Sequence, residues 1–542
     1  MKRWKLLFEI VLLLGVMATA VYFGSSYSVV VDGAKEIEVL WEIEDTRQES
    51  EQPLVTVLMN DGVPLAYDKK ENTFYCSLGL GQGEEWPQLH LTVPDARGIS
   101  VCFSDDYTYD LCSDAIAEGY TYELMAYSDT EYSYFNLVFT GLPIVTITHE
   151  GNMTREDIPV SFGMNGYGNK AFSSPGRAHL RGDGSLMWSQ KAGYKVEFTR
   201  RTDGTGKIAQ DVPGFGQTDE ILLLPMPFDE TLMLDRLSWE MYGLITPETE
   251  PFSARKTRYA EVFVNEEYAG VYLMMTPFAI EKELAKAGNR ALETDSLYRT
   301  GVPSMTKDRL SYTGGEPGEA TYELFYTPDF QRAFEPLAAY IELFREDDDE
   351  LFRQKAQDCV DISSAVQYLM FLQAAGLADN TGNNMYLWAH VQDGRLMYRF
   401  EPWDMDRSWG IDALPDYEGW FDVPVIDRIV NLDVGGAKEM LRQVWIQMRE
   451  KAFTYETVEQ LVSGYMHELN DSGAFWRNAQ RWELEASQAD ASRILNYCSV
   501  RFGILDEAVE RIVSAEGLVG FLSADVRHGD HGVTSMIDPN NW

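Results

Sequence analysis

Met385-Tyr386-Leu387-Trp388-Ala389-His390-Val391-Gln392-Asp393-Gly394-Arg395-Leu396-Met397-Tyr398-Arg399-Phe400 is the stretch on which the reading of this chain turns. Two apolar, aromatic runs flank Asp-Gly, a dipeptide that accepts the left-handed backbone of a two-residue hairpin turn. Counting outward from that turn, Asn384 opposes Trp403 and Asn383 opposes Asp404. Opposed residues lie about 4.5–5.5 Å apart, so the hairpin returns Trp403-Asp404-Met405-Asp406 to the Asp379–Asn384 loop. An Asp, an Asn five residues later and a second Asp then meet at two strand ends. Hard divalent cations take oxygen ligands, and the set suits a metal beside a reacting hydroxyl. The same residues also suit an ordinary surface hairpin.

Upstream of the hairpin, Val366, Leu369, Met370 and Gln373 recur at helical spacing. Ser363 or Ser364 is the expected cap of that helix and Gly376 its stop. Asp379 therefore falls on a loop between helix and strand, where a scaffold presents reactive side chains. Further out, 27–141 reads as short strands, such as Ile99–Phe103 and Tyr134–Phe139, separated by Gly, Asp and Pro turns, with no long helical period. A small β-sandwich of roughly 100 residues is expected there, as a spacer or binding module. From Leu142 strands dominate to about Met275, with a helical stretch at Leu232–Leu244, and beyond Phe278 the chain reads as mainly helical to Ser514. Residues 516–542 read as a poorly ordered tail. The expected division is thus 1–26, 27–141, 142–515 and 516–542.

Composition narrows the class. The 542 residues exceed one ordinary core, and 45% hydrophobic with 13% aromatic content argues for packed structure. Against 86 acidic residues stand 45 basic ones, a net charge of −41. That balance excludes nucleic acid as a partner and favours basic ones. Met1-Lys2-Arg3-Trp4-Lys5 is basic, and Leu6–Gly24 is apolar apart from Glu9. The segment reads as a single membrane-spanning helix with its basic flank in the cytoplasm, or as a cleaved signal peptide ending near Ala18-Thr19-Ala20. Either reading places the body outside the cell membrane. Cys76, Cys102, Cys112, Cys359 and Cys498 are too scattered for a disulfide scaffold or a zinc site, though Cys102 and Cys112 can pair in an oxidising compartment. His528 and His531 lie close together in the polar tail.

Four blocks together carry a resemblance. His179-Leu180-Arg181-Gly182-Asp183-Gly184-Ser185 with Gln190-Lys191-Ala192-Gly193-Tyr194-Lys195-Val196-Glu197-Phe198 resembles the "RGN-x-S … KK-x-Y" segment of the spore coat protein H (CotH) kinase family. Tyr259–Leu273, around Asn265-Glu266-Glu267-Tyr268, is similar to that family's "NGEY-x-G-x-Y" strand pair, and Asp379–Asn384 and Trp403–Asp406 resemble its "D-x4-N" and "WD-x-D" signatures. The resemblance implies an α+β, atypical protein-kinase-like fold of two lobes. It implies ATP with Mg2+ or Mn2+ as cofactors and a protein hydroxyl as acceptor. In protein kinases an Asp takes the hydroxyl proton, an Asn five residues on holds metal, and an Asp beyond a hairpin holds metal. On that pattern Asp379 is the base, Asn384 and Asp404 are metal ligands, and Asp406 is a weaker metal candidate. Lys191 is the first candidate for the ATP phosphates, ahead of Lys195, with Arg181 a third. Asp183 replaces the family's Asn, and Thr276-Pro277 stands where the family places an acid. These departures keep a second reading open: a weak or inactive envelope scaffold that binds partners through its β-domain. The charge balance suits a basic or Ser-rich substrate protein.

Overall fold

The computed structural model describes residues 28–78, 89–104, 113–167, 170–253, 255–278, 280–287, 291–301, 322–412, 417, 419–486 and 488–514. The expected membrane segment or signal peptide, Cys112, both tail histidines and the 516–542 tail lie outside these residues. Among the described residues no helix is long and apolar enough to cross a membrane. The fold mixes α and β, as expected, and the chain divides into two compact units.

The first unit takes in 28–227, 258–276 and 466–489 of the described chain. Alternating apolar residues drive its N-terminal part into a four-stranded and a six-stranded sheet. Leu91 and Val93 of the first sheet share one core with Phe74, Cys76, Leu124 and Leu137 of the second. The strands Ser100–Phe103 and Glu131–Thr140 fall where alternation placed them. Unexpectedly, Ile37–Thr46 is a helix whose Leu40 and Ile43 pack on Cys102 and Met125. Cys102 itself is a buried free thiol.

From Ile144 seven strands close into a barrel: Ile144–His149, Ile158–Tyr167, Lys170–Arg181, Gly193–Phe198, Glu220–Leu224, Glu267–Met275 and Thr257–Val264, in that spatial order. The last two are joined by Asn265 and Glu266, both left-handed (φ 50° and 63°), as a two-residue hairpin requires. Tyr194, Val196 and Phe198 turn toward the barrel core. Ala66, Tyr75 and Val138 of the sheets form a cluster with Ile144, Phe263 and Tyr268 of the barrel. Beside it Arg477, from the helix Ala474–Trp482, grips the buried Glu261 through both carboxylate oxygens (2.8 and 3.0 Å). Tyr268 adds a hydroxyl bond to the same carboxylate (2.7 Å).

The second unit comprises 228–257, 277–465 and 490–514 of the described chain. It is mainly helical, as expected beyond Phe278, but is built around a four-stranded antiparallel sheet. The order is Tyr322–Tyr326, Ser296–Gly301, Asn383–Gln392, Arg395–Pro402. Its first two strands carried no clear alternation. The helix Ile362–Ala375 stops at Gly376, left-handed at φ 70° and ψ 40°. A Cβ there would stand 2.6 Å from the Tyr497 hydroxyl, so glycine is required twice over. The cap differs from expectation: Asp361 accepts from the Ser364 amide (3.0 Å), while the Ser364 hydroxyl lies against Phe400 of the hairpin (3.3 Å from its amide).

Glu261 is fully buried and Arg477 is 5% exposed. Replacing one partner strands a charge in a dry site, which typically costs about 3–5 kcal/mol. Arg477→Met is therefore expected to lower unfolding free energy by that amount in denaturant titration. A loss under about 1 kcal/mol, the scale of an exposed pair, would refute the anchoring role.

Candidate active site

Every element that positions the acidic residues belongs to the second unit. The hairpin register runs from Gln392↔Arg395 back to Met385↔Pro402, and the Trp403 amide donates to the Asn384 carbonyl (3.0 Å). Asn384 therefore opposes Trp403, as the Asp393-Gly394 turn demanded. Both turn residues are left-handed (φ 51° and 78°). At the open end of the hairpin Asn384 (φ 50°) and Asp404 (φ 54°) are left-handed too. Such a backbone breaks strand alternation and redirects both side chains away from the ladder.

Asp379 sits in the short turn Ala378–Thr381 that follows Gly376. Its carboxylate accepts from the Asn384 amide (2.8 Å) and, more weakly, from Asn383 (3.4 and 3.5 Å). Burial raises the Asp379 carboxyl above the usual range, and the charge of Asp404 adds to this; Asn383 and Arg407 oppose it. Asp406 is pushed up further, first by burial and then by Asp404, Asp235 and Asp379, with Arg407 countering. Asp379, Asp404 and Asp406 are thus mutually felt, and Asp235, on the helix Leu234–Ile245, joins them.

The loop after the hairpin is held from two sides. The Trp409 amide donates to Ala375 (2.6 Å), at the end of the Ile362–Ala375 helix. The Trp409 indole donates to Ser238 (2.9 Å), and the Ser408 hydroxyl caps the Met405 carbonyl (2.8 Å). Arg407, the cation of the group, is bound by Asp412 through two hydrogen bonds. Asp412, which stands outside the sequence signature, therefore belongs to the electrostatics of the site.

The chemistry of the donors fits a hard cation. Oxygens dominate, the carboxylates repel one another, and with Nδ2 of Asn384 spent on Asp379 its Oδ1 is left as an acceptor. Among the described residues no group of three carboxylate, histidine or cysteine side chains is set to hold an ion unaided. Protein ligands that few suit magnesium, which keeps waters and shares phosphate oxygens.

The basic candidates lie in the first unit. Lys191 is 4% exposed; its ammonium donates to the Val271 carbonyl (2.6 Å) and to Asn478 Oδ1 (2.9 Å) and stands 4.9 Å from the Tyr272 ring centre. Burial lowers it to about 7. Lys195 is a third exposed and pairs with Glu220 (3.2 Å). Arg181 ends its barrel strand opposite Gly193.

The family model for CotH kinase protein matches residues 178–504, more than half of the chain. The chain belongs to the CotH kinase protein family. No curated protein matches it. The matched span contains the Arg181, Lys191 and Lys195 segment together with Asp379, Asn384, Asp404 and Asp406. Family membership makes a kinase-like function the coarse reading of this site.

Arg407 and Asp412 escaped the sequence, and so did two further residues of the site. Asp235 lies on the helix Leu234–Ile245, outside every motif read from the sequence. Asn380, next to Asp379, is 1% exposed and bonds to the Asn384 and Trp403 carbonyls; nothing in its spacing signalled this.

Three directions around the Lys191 ammonium are occupied, and removing it takes a donor from the buried Val271 carbonyl and from Asn478 Oδ1, which keeps the Val271 amide (3.0 Å). Lys191→Met is expected to destabilise the protein by about 1–3 kcal/mol, and Lys195→Met by less than about 1 kcal/mol. Chemical denaturation of both variants checks this, and equal losses would contradict it.

Proposed function

We propose that this CotH-family chain is an ATP-dependent protein kinase of two-lobed, kinase-like fold, acting on Ser or Thr hydroxyls with Mg2+ or Mn2+. The observation that carries the reading is the Asp379 carboxylate, half-buried, held by Asn384 and set beside Asp404 at the hairpin's open end. Burial and a neighbouring negative charge make a carboxylate a better proton acceptor. As the substrate oxygen bonds to the γ-phosphorus and the bond to ADP breaks, its proton passes to Asp379. Asn384 and Asp404 would hold the cation, with Asp406 behind them; the cation supplies charge neutralisation at the phosphates. Asn384 also orients Asp379, so one side chain serves both the base and the metal.

For the phosphate-binding cation, the sequence match favours Lys191 and the surroundings favour Lys195. Lys191 has to give up Val271 and Asn478 to reach a phosphate, whereas Lys195 gives up one part-exposed ion pair. Arg181 is the third candidate. A protein with net charge −41 recruits basic acceptors most readily, so a basic, Ser-rich envelope protein is the proposed substrate. An extracytoplasmic body behind the N-terminal apolar segment completes the proposal. The occupied donors of Lys191 favour one alternative, a catalytically weak scaffold.

Labelled ATP separates the two. The wild-type protein should label a basic acceptor protein in the presence of Mn2+ or Mg2+. Asp379→Asn should keep fold and nucleotide affinity while losing about 10²–10⁴-fold in turnover. Undiminished labelling by this variant would remove Asp379 from the role, and silence of the wild type would favour the scaffold.

Calorimetric titration tests the metal ligands. Metal should bind weakly to the free protein and much more tightly once ATP is present, because phosphate oxygens complete the shell. Asp404→Ala should abolish that coupling. Asp358→Ala, at a side chain 77% exposed, is the control and should leave the coupling intact. In the same titrations Lys195→Met should weaken ATP more than Lys191→Met. Equal metal affinity with and without ATP would rule out the site as described.

A further inference from the structure

Resting on the kinase reading above, we propose that Asn380 is a positioning residue that locks both metal-side ligands, Asn384 and Asp404, into their left-handed backbones through a single carboxamide. Its Nδ2 donates one hydrogen to the Asn384 carbonyl (2.9 Å) and the other to the Trp403 carbonyl (2.7 Å). The Trp403 carbonyl belongs to the peptide that leads into Asp404, so its direction limits the φ of Asp404. The Asn384 carbonyl receives a second bond from the Trp403 amide (3.0 Å). One amide group therefore joins the two strand ends where the regular ladder stops.

The clamp is anchored in turn. The Tyr368 hydroxyl, on the buried face of the Ile362–Ala375 helix, donates to the Asn380 carbonyl (2.6 Å). A rigid helix thereby sets Asn380, and Asn380 sets the hairpin's open end. The residue before it is the proposed base, so base and both ligand backbones are referenced to one short turn. Asn380 touches neither substrate nor metal in this scheme; it acts through Asn384 and Asp404. Both donors of a primary amide are needed, which neither Asp nor Leu supplies at the same size.

The test uses the full chain with Mn2+ and ATP as probes. Calorimetric titration in the presence of ATP should show Mn2+ bound about 10–100-fold more weakly by Asn380→Leu, the scale typical of groups that orient metal ligands, and Mn2+ half-saturation of turnover should rise in step. Excess Mn2+ should recover part of the lost turnover, and KM for the acceptor protein should stay as in the wild type. A purely structural role would lower the amount of active protein and leave Mn2+ half-saturation unmoved; that result overturns the proposal. Where Asn380→Leu fails to fold, Tyr368→Phe loosens the same clamp from the helix side. It should shift Mn2+ half-saturation in the same direction, and no shift there also overturns the proposal. A wild-type protein silent toward Mn2+ and ATP defeats the kinase reading and the positioning role together. That outcome differs from an active wild type with unmoved variants, which defeats the positioning role alone.

Discussion

The site depends on a left-handed backbone at two places on one hairpin. Asp393-Gly394 in that conformation sets the register, and the same conformation at Asn384 and Asp404 ends it. A left-handed conformation costs an ordinary residue roughly 1–2 kcal/mol, and Asn and Asp tolerate it best. The residue types suited to redirecting the backbone are also those with oxygen atoms for a cation. Strand geometry and the proposed ligand chemistry therefore select the same residues, and a change at either position should disturb both.

Charge is the second constraint. The chain is strongly acidic, and its acidic cluster sits where burial raises Asp379 and Asp406. Carboxylates crowded together want a counter-cation. Arg407 supplies part of this but is shared with Asp412. Elsewhere the scarce cations serve architecture. Arg477 anchors Glu261, Lys191 ties Val271 to Asn478, and Arg501 gathers the carbonyls of Gln373, Tyr417 and Gly419. A buried guanidinium or ammonium meets several acceptors at once, which suits it to joining segments distant in sequence.

Local signals set the hairpin, its register, the stop at Gly376 and the convergence of Asp379, Asn384 and Asp404. Each rests on short-range sterics: a turn type, a side-chain period, a left-handed glycine. They are readable in sequence because neighbours along the chain enforce them. Tertiary structure decided what distant partners enforce. Asp361, and not Ser363 or Ser364, caps the helix, because Ser364 is drawn to Phe400. Lys191 is enclosed by Val271, Asn478 and Tyr272, surroundings that the motif match did not reveal. Asp235 joins the acidic cluster from another helix, and Asn380 gains its role only where two strand ends come within reach of one amide. Burial and hydrogen-bond partnership depend on the whole packed unit, and no spacing within a motif encodes them.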